Sequence, residues 1–217
     1  MKELIVRRLV FRDEVPDLTE VSEALDALGP GHEIALVNWT EFAYRPVVRF
    51  NIGHNNREIF LKYYVRELYV KAEKSQSNQM VCEDSCVEFF VSPDEDGIYY
   101  NFEFNPIGTT LLGKGTGRVD SRVVDPSYIA KIRRWGTLGD QPFGERTGDQ
   151  QWELVVAIPT EAFAGKETGT LSGKHFRANF YKCGDKLTEM HFLTWSPVGT
   201  ANPDFHRPEY FGRITFE

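Results

Sequence analysis

The chain has 217 residues, 41% of them hydrophobic and 13% aromatic, with a formal net charge of −7 and a pI near 5.4. That acidity argues against a nucleic-acid or anionic-membrane partner, since both select for basic surface. No apolar run approaches the ~20 residues of a membrane helix, and the length suits a single all-β domain over residues 1–217.

Leu4, Ile5, Val6, Leu9, Val10 and Phe11 form a first extended segment interrupted by Arg7 and Arg8. A helix follows, with Asp17 as N-cap, Glu20 three residues on, Leu18, Val21, Leu25 and Leu28 at helical spacing, and Gly29-Pro30 as its stop. It is expected to cover an edge or end of a sheet. Strand-like segments then run over residues 34–39 and 47–54, and the turn Asn55-Asn56-Arg57 makes a hairpin with residues 58–67. Residues 71–79 are polar and read as a mobile loop.

Next comes the most informative stretch. Cys86 to Val91 and Tyr99 to Phe104 alternate, and the segment Ser92-Pro93-Asp94-Glu95-Asp96-Gly97-Ile98 between them is turn chemistry. Val87, Phe89 and Val91 share one face with Tyr100, Phe102 and Phe104 if the strands pair antiparallel. That register sets Phe89 opposite Phe102, Phe90 opposite Asn101, and Glu88 opposite Glu103. Like charges directly opposite destabilise a sheet, so this polar face is either well solvated or built for a ligand.

Gly108 to Thr116 comes near a phosphate-binding loop, but Gly115 stands where the magnesium-binding hydroxyl belongs and no helix opens after it. It reads as a glycine-rich strand. Lys131-Ile132-Arg133-Arg134, with Tyr128, Ile129 and Trp135, suggests a short helix with a solvated basic face, inside an irregular region over residues 126–146. Residues 152–159 form a strand ended by Pro159, and a helical turn follows. Residues 174–182 alternate cleanly, with Phe176, Ala178 and Phe180 inward and Arg177, Asn179 and Tyr181 outward.

Cysteines number three. Cys82 and Cys86 are spaced by three intervening residues, whereas zinc ribbons use two or four, so free thiols in a reducing compartment are expected. With no signal peptide visible, the expected location is the cytoplasm, or outside the cell if a leader has been removed. His191 and His206 are expected as packed or surface residues rather than haem ligands. Trp39, Trp152 and Trp195 are expected in the core. Many short strands around one or two peripheral helices describe an antiparallel, jelly-roll-like β-sandwich.

Six segments together resemble the family 9 carbohydrate-binding modules and their free-standing relatives: residues 84–93, 99–108, 152–159, 176–180, 195–197 and 205–212. Order and spacing match from about Leu36 to the C-terminus. The resemblance implies a β-sandwich that binds sugar between two tryptophan rings, with an acidic residue and amides on the hydroxyls. Carried over by position, the acid resembles Glu88, the amides resemble Asn179 and Asn202, and Phe205 stands for one tryptophan. The other is absent, because Met80-Val81-Cys82-Glu83 occupies its place, and Glu103 stands where the characterised binders have an arginine.

The resulting expectation is non-catalytic binding of a saccharide or small polyol by Glu88, Asn101, Glu103, Arg177, Asn179, Asn202 and Phe205. Carboxylates accept hydroxyl protons, amides donate and accept, and ring faces pack on C–H surface. The alternatives are a glycoside hydrolase or lyase using Glu88 and Glu103, and a protein-interaction scaffold with no small ligand. No cofactor is expected, although Glu88, Glu103 and Asn101 offer the oxygen donors that calcium prefers.

Overall fold

The computed structural model describes residues 1–166 and 168–217. Strand β1 (Glu3–Arg8) precedes helix α1 (Leu18–Asp26), short strands β2 (His32–Glu33) and β3 (Leu36–Val37), and the hairpin of β4 (Val47–His54) with β5 (Glu58–Ala72). The central hairpin joins β6 (Cys86–Ser92) to β7 (Tyr99–Phe104). There follow β8 (Thr110–Gly115), β9 (Arg122–Val123), α2 (Pro126–Ile129), β10 (Arg133–Gly136), β11 (Phe143–Pro159), β12 (His175–Cys183), β13 (Phe192–Thr194) and β14 (Gly212–Phe216).

These strands make two layers that share β1. One runs β10-β11-β5-β4-β1, and the other β1-β14-β12-β6-β7-β8-β9, with β13 alongside β12. β1 pairs parallel with both β4 and β14. The β-sandwich expectation holds. The residues packed between the layers are those that alternation assigns inward: Phe89, Phe102 and Phe180 from one sheet, Phe50, Leu61 and Tyr63 from the other. Phe50 stacks on Phe180 across the gap, with ring centroids 3.8 Å apart.

The central hairpin has the expected register, with Phe89 opposite Phe102 and Glu88 opposite Glu103. Its turn is closed by Ser92 Oγ donating to Ile98 O at 2.6 Å, and Gly97 adopts φ +78°, a conformation that favours glycine. Asp84 is wholly buried. Its carboxylate accepts from Lys74 N at 2.9 Å and Asn105 Nδ2 at 3.0 Å, so the acidic start of the hairpin holds the loop before it.

Several expectations are corrected. The helix α1 is capped by Asp17, which accepts from Thr19 N at 2.7 Å, yet it covers a sheet face and not an edge or end. Val21 and Leu25 pack on Phe60, Val155 and Ala157, and buried Lys62 reaches Ser22 Oγ at 2.8 Å and Asp26 at 2.9 Å. Lys71 and Ala72 belong to β5 and not to a loop, and β11 is longer than foreseen because it follows β5 through two register shifts. The basic cluster is not a solvated helix face: Arg133 pairs with Glu58 at 2.9 Å, and Trp135 lies exposed on β10. The glycine-rich segment is strand β8.

One charged pair lies inside the sandwich. Lys182 on β12 and Glu67 on β5 point inward from opposite sheets, both side chains fully buried, with Nζ 2.9 Å from Glu67 Oε2. Nζ also donates to Cys183 O at 2.9 Å and to His191 Nε2 at 2.8 Å, while Glu67 Oε1 accepts from Trp152 Nε1 at 2.7 Å. Breaking a buried pair strands a charge. Lys182→Met is therefore expected to cost about 3–5 kcal/mol in chemical denaturation. Adding Glu67→Gln, which keeps the acceptor for Trp152, should recover more than half of that loss.

Candidate functional site

The outer face of the β12-β6-β7-β8 layer is not solvated. Loops spanning residues 38–44 and 195–211 fold across it and bury a second apolar cluster that includes Trp39, Phe90, Tyr99, Tyr181, Phe205 and Phe211. Between this cluster and the edge strand β9 a pocket of about 320 Å³ remains open, at the small end of ligand-site volumes.

Its floor is the polar face of the central hairpin, with Glu88, Asn101 and Glu103 only 2%, 2% and 6% exposed. Asn101 Nδ2 donates to Glu103 Oε1 at 2.9 Å, and Cys183 Sγ to Glu88 Oε1 at 3.0 Å. Burial pushes both carboxyls up, Glu103 to about 7 and Glu88 well above the carboxylate range, the latter further raised by the charge of Glu103. Facing like charges are thus accommodated by protonation and hydrogen bonds rather than by water. Gly113, opposite Asn101 on β8, makes room for this amide: a Cβ there would sit 2.4 Å from Asn101 Oδ1.

The walls come from elsewhere in the chain. Met80 and Cys82 line one side from the 3-10 turn at Val81–Glu83, while Leu111 and Val123 line another from β8 and β9. Arg118, the one cation lining the pocket among the described residues, pairs with Asp204 at 3.0 Å. Asp185, Phe192 and the run Pro203 to His206 complete it.

Of the residues that the sequence singles out, Glu88, Asn101, Glu103 and Phe205 meet at this pocket. Arg177, Asn179 and Asn202 do not. Asn179 faces outward but is covered by the chain at Ser196, donating to Ser196 O at 3.0 Å and accepting from Ser196 N at 2.8 Å. Arg177 donates to the carbonyls of Glu209 and Phe211, and Asn202 is exposed on a loop. Phe205 is buried against Tyr181, ring centroids 4.1 Å apart and 7° from parallel. Met80, from the segment that stands in place of the other tryptophan by resemblance, lines the pocket.

Sequence reasoning missed Arg118, Ser121, Asp185 and His206, which lie in loops with no period to read. Cys183 carried a signal, since the alternation that turns Tyr181 outward turns Cys183 the same way.

The family model described as carbohydrate-binding family 9 matches residues 21–216. The chain belongs to carbohydrate-binding family 9. The family 9 chain is 43% identical, at a TM-score of 0.95, to a presumed carbohydrate-binding protein from Bacteroides uniformis, with 100% of this chain and 99% of that one covered. A family 9 module from Caldicellulosiruptor kristjanssonii in complex with glucose matches at TM-score 0.60 and 14% identity, covering 100% of this chain and 96% of that chain. The same comparison with a cellotriose complex gives 0.64 and 12%, with 100% and 94% covered. At those identities the two complexes speak to the fold. A search of curated proteins returns no match.

Two outcomes test this family 9 pocket. His206 Nδ1 lies 2.6 Å from Tyr99 Oη, with Phe90 against its ring. Burial, then the Arg118 charge, lowers its pKa to about 4, against the pull of Asp204. The unfolded chain therefore takes up a proton that the folded one refuses as pH falls below 6.5. Stability conferred by the neutral ring is full above that value and lost towards pH 4, by at most about 3 kcal/mol. Urea titrations should show a decline between pH 6.5 and 4 that is smaller in His206→Asn than in wild type, His54 and His191 contributing in the same direction in both. Gly113→Ala should displace Asn101 into the cavity and reduce ligand affinity more than it reduces thermal stability.

Proposed function

We propose that the pocket binds a saccharide, or a small polyol of like chemistry, without transforming it. The observation that carries this reading is the gathering of carboxyl, amide, hydroxyl and guanidinium groups from Glu88, Glu103, Asn101, Ser121 and Arg118 beside apolar walls of Leu111, Phe192 and Phe205. A sugar ring presents hydroxyls around its rim and C–H surface on its faces, and it needs both kinds of wall. Family membership and the glucose and cellotriose complexes of the Caldicellulosiruptor relative support the same reading.

The hydrolase alternative needs one carboxylic acid and one ionised carboxylate across the scissile bond. Here burial pushes both carboxyls up rather than holding one of them ionised, and Asn101 Nδ2 engages Glu103 at 2.9 Å. Glu88 is also engaged by Cys183 Sγ. The geometry favours recognition over turnover.

Calorimetry against mono- and oligosaccharides, begun with gluco-configured ones, tests the proposal. A ligand should be found, and Asn101→Ala and Glu103→Ala should each weaken it by about tenfold, the loss expected when one buried hydrogen-bonding group goes unmet. Arg177→Ala lies outside the pocket and should leave affinity unchanged. Equal affinity in all three variants would move the site elsewhere.

A further inference from the structure

The inner wall of the pocket holds a second constellation. Strand register sets Cys86 opposite Cys183, and Tyr181 opposite Glu88, so both thiols and one carboxyl emerge on the same side of adjacent strands. Cys86 Sγ, Cys183 Sγ and a Glu88 carboxyl oxygen all lie within 4.8 Å of one another. All three side chains are buried, and all three cysteines of the chain are free.

A fourth donor stands next to them. Asp185 faces the thiols of Cys183 and Cys82, its Oδ1 is buried with no hydrogen-bonding partner, and its backbone is pinned by Asp185 N donating to Cys82 O at 2.8 Å. Among the described residues no side-chain cation makes an ion pair with this group, and Arg118 acts on it only from a distance. Lys182 points through the sheet to Glu67, and Arg118 pairs with Asp204 across the pocket. An orphaned carboxylate oxygen beside buried thiols is costly in a protein interior. A divalent cation would satisfy every member at once.

We propose that Cys86, Cys183, Glu88 and Asp185 form a binding site for a thiophilic divalent cation of the zinc class. Two sulfurs and one oxygen from adjacent strands, with the Asp185 carboxyl in the turn after β12 as the fourth group, match the donor types that zinc takes in four-coordinate sites. Sulfur donors select such an ion over calcium, which takes six to eight oxygens. Binding would exchange two thiol protons and the Glu88 carboxyl proton for metal–ligand bonds and release about three protons per ion at neutral pH. The site stands independently of saccharide recognition, although Glu88 belongs to both and the two occupants would sense each other.

The test uses the full chain, reduced with a phosphine and freed of metal by a chelator, titrated with cadmium and separately with zinc in the absence of sugar. Expected are one cadmium per chain, an ultraviolet thiolate-to-cadmium charge-transfer band, proton release, and a thermal midpoint raised by zinc. Cys183→Ser should weaken binding by more than the roughly 10- to 100-fold that losing a ligand's hydrogen-bonding partner costs. Asp185→Asn, a half-buried and isosteric change, should weaken it less and keep the band. Cys82→Ser should keep both the band and the stoichiometry. No band in the reduced protein, or an undiminished band in a folded Cys86→Ser/Cys183→Ser double variant, would overturn the proposal. So would binding of calcium with none of cadmium or zinc.

Discussion

The contact on which the rest depends is the ion pair between Lys182 and Glu67, buried between the two sheets. Strands have a period of two, so fixing one side chain inward fixes its neighbours outward. With Lys182 held by Glu67, His191 Nε2 and its own strand's carbonyl, Tyr181 and Cys183 must emerge on the outer face. A slip of β12 by one residue would carry the ammonium out of the interior and leave Glu67 unpaired, a cost added to that of turning Phe176 and Phe180 out of the core. The charge inside the sandwich thereby sets which groups reach the pocket outside it.

The outer face is where the energetic tension lies. Glu88 faces Glu103 across the hairpin, a pairing that destabilises exposed sheets. Solvation would relieve it, but the loops over residues 195–211 exclude water from most of this face and leave the carboxyls nearly buried. Relief comes instead from protonation, from the Asn101 amide accommodated by Gly113, and from the Cys183 thiol. A face arranged this way is specific to what enters it, because each polar group left unmet by a ligand carries a desolvation cost.

The hairpin, its register and both of its faces were legible in the sequence because alternation is a local signal and the apolar set admits one register. The pocket was legible only in part. Asn179 has the outward parity expected of it, yet the chain at Ser196 crosses over it, and its amide is engaged by Ser196 and by Phe180 N. Nothing in the spacing of residues 176–180 says which later loop will lie across that strand. Arg118, Asp185 and His206 come from such loops, and their convergence depends on long-range packing. The cysteines show the same limit from another side. Cys82 and Cys86 are near in sequence and lack zinc-ribbon spacing, whereas the partner that register places opposite Cys86 lies almost a hundred residues further on.

Phe205 shows how far recognition here departs from a two-ring clamp. Its ring is stacked on Tyr181 at 4.1 Å and flanked by Trp39 and Phe192, so one face is already spent on the protein. Met80 also lines the pocket, a flexible thioether and not a flat ring. Flat rings supply affinity that is tolerant of hydroxyl pattern, since a C–H face looks alike in many sugars. Polar groups fixed on a sheet floor do the reverse: they discriminate strongly, because a missing or inverted hydroxyl leaves a buried partner unpaired. As the proposed binding site, this pocket would trade stacking area for a hydrogen-bonding pattern set by Asn101, Glu103 and Arg118, and its ligand is to be sought by stereochemistry rather than by chain length.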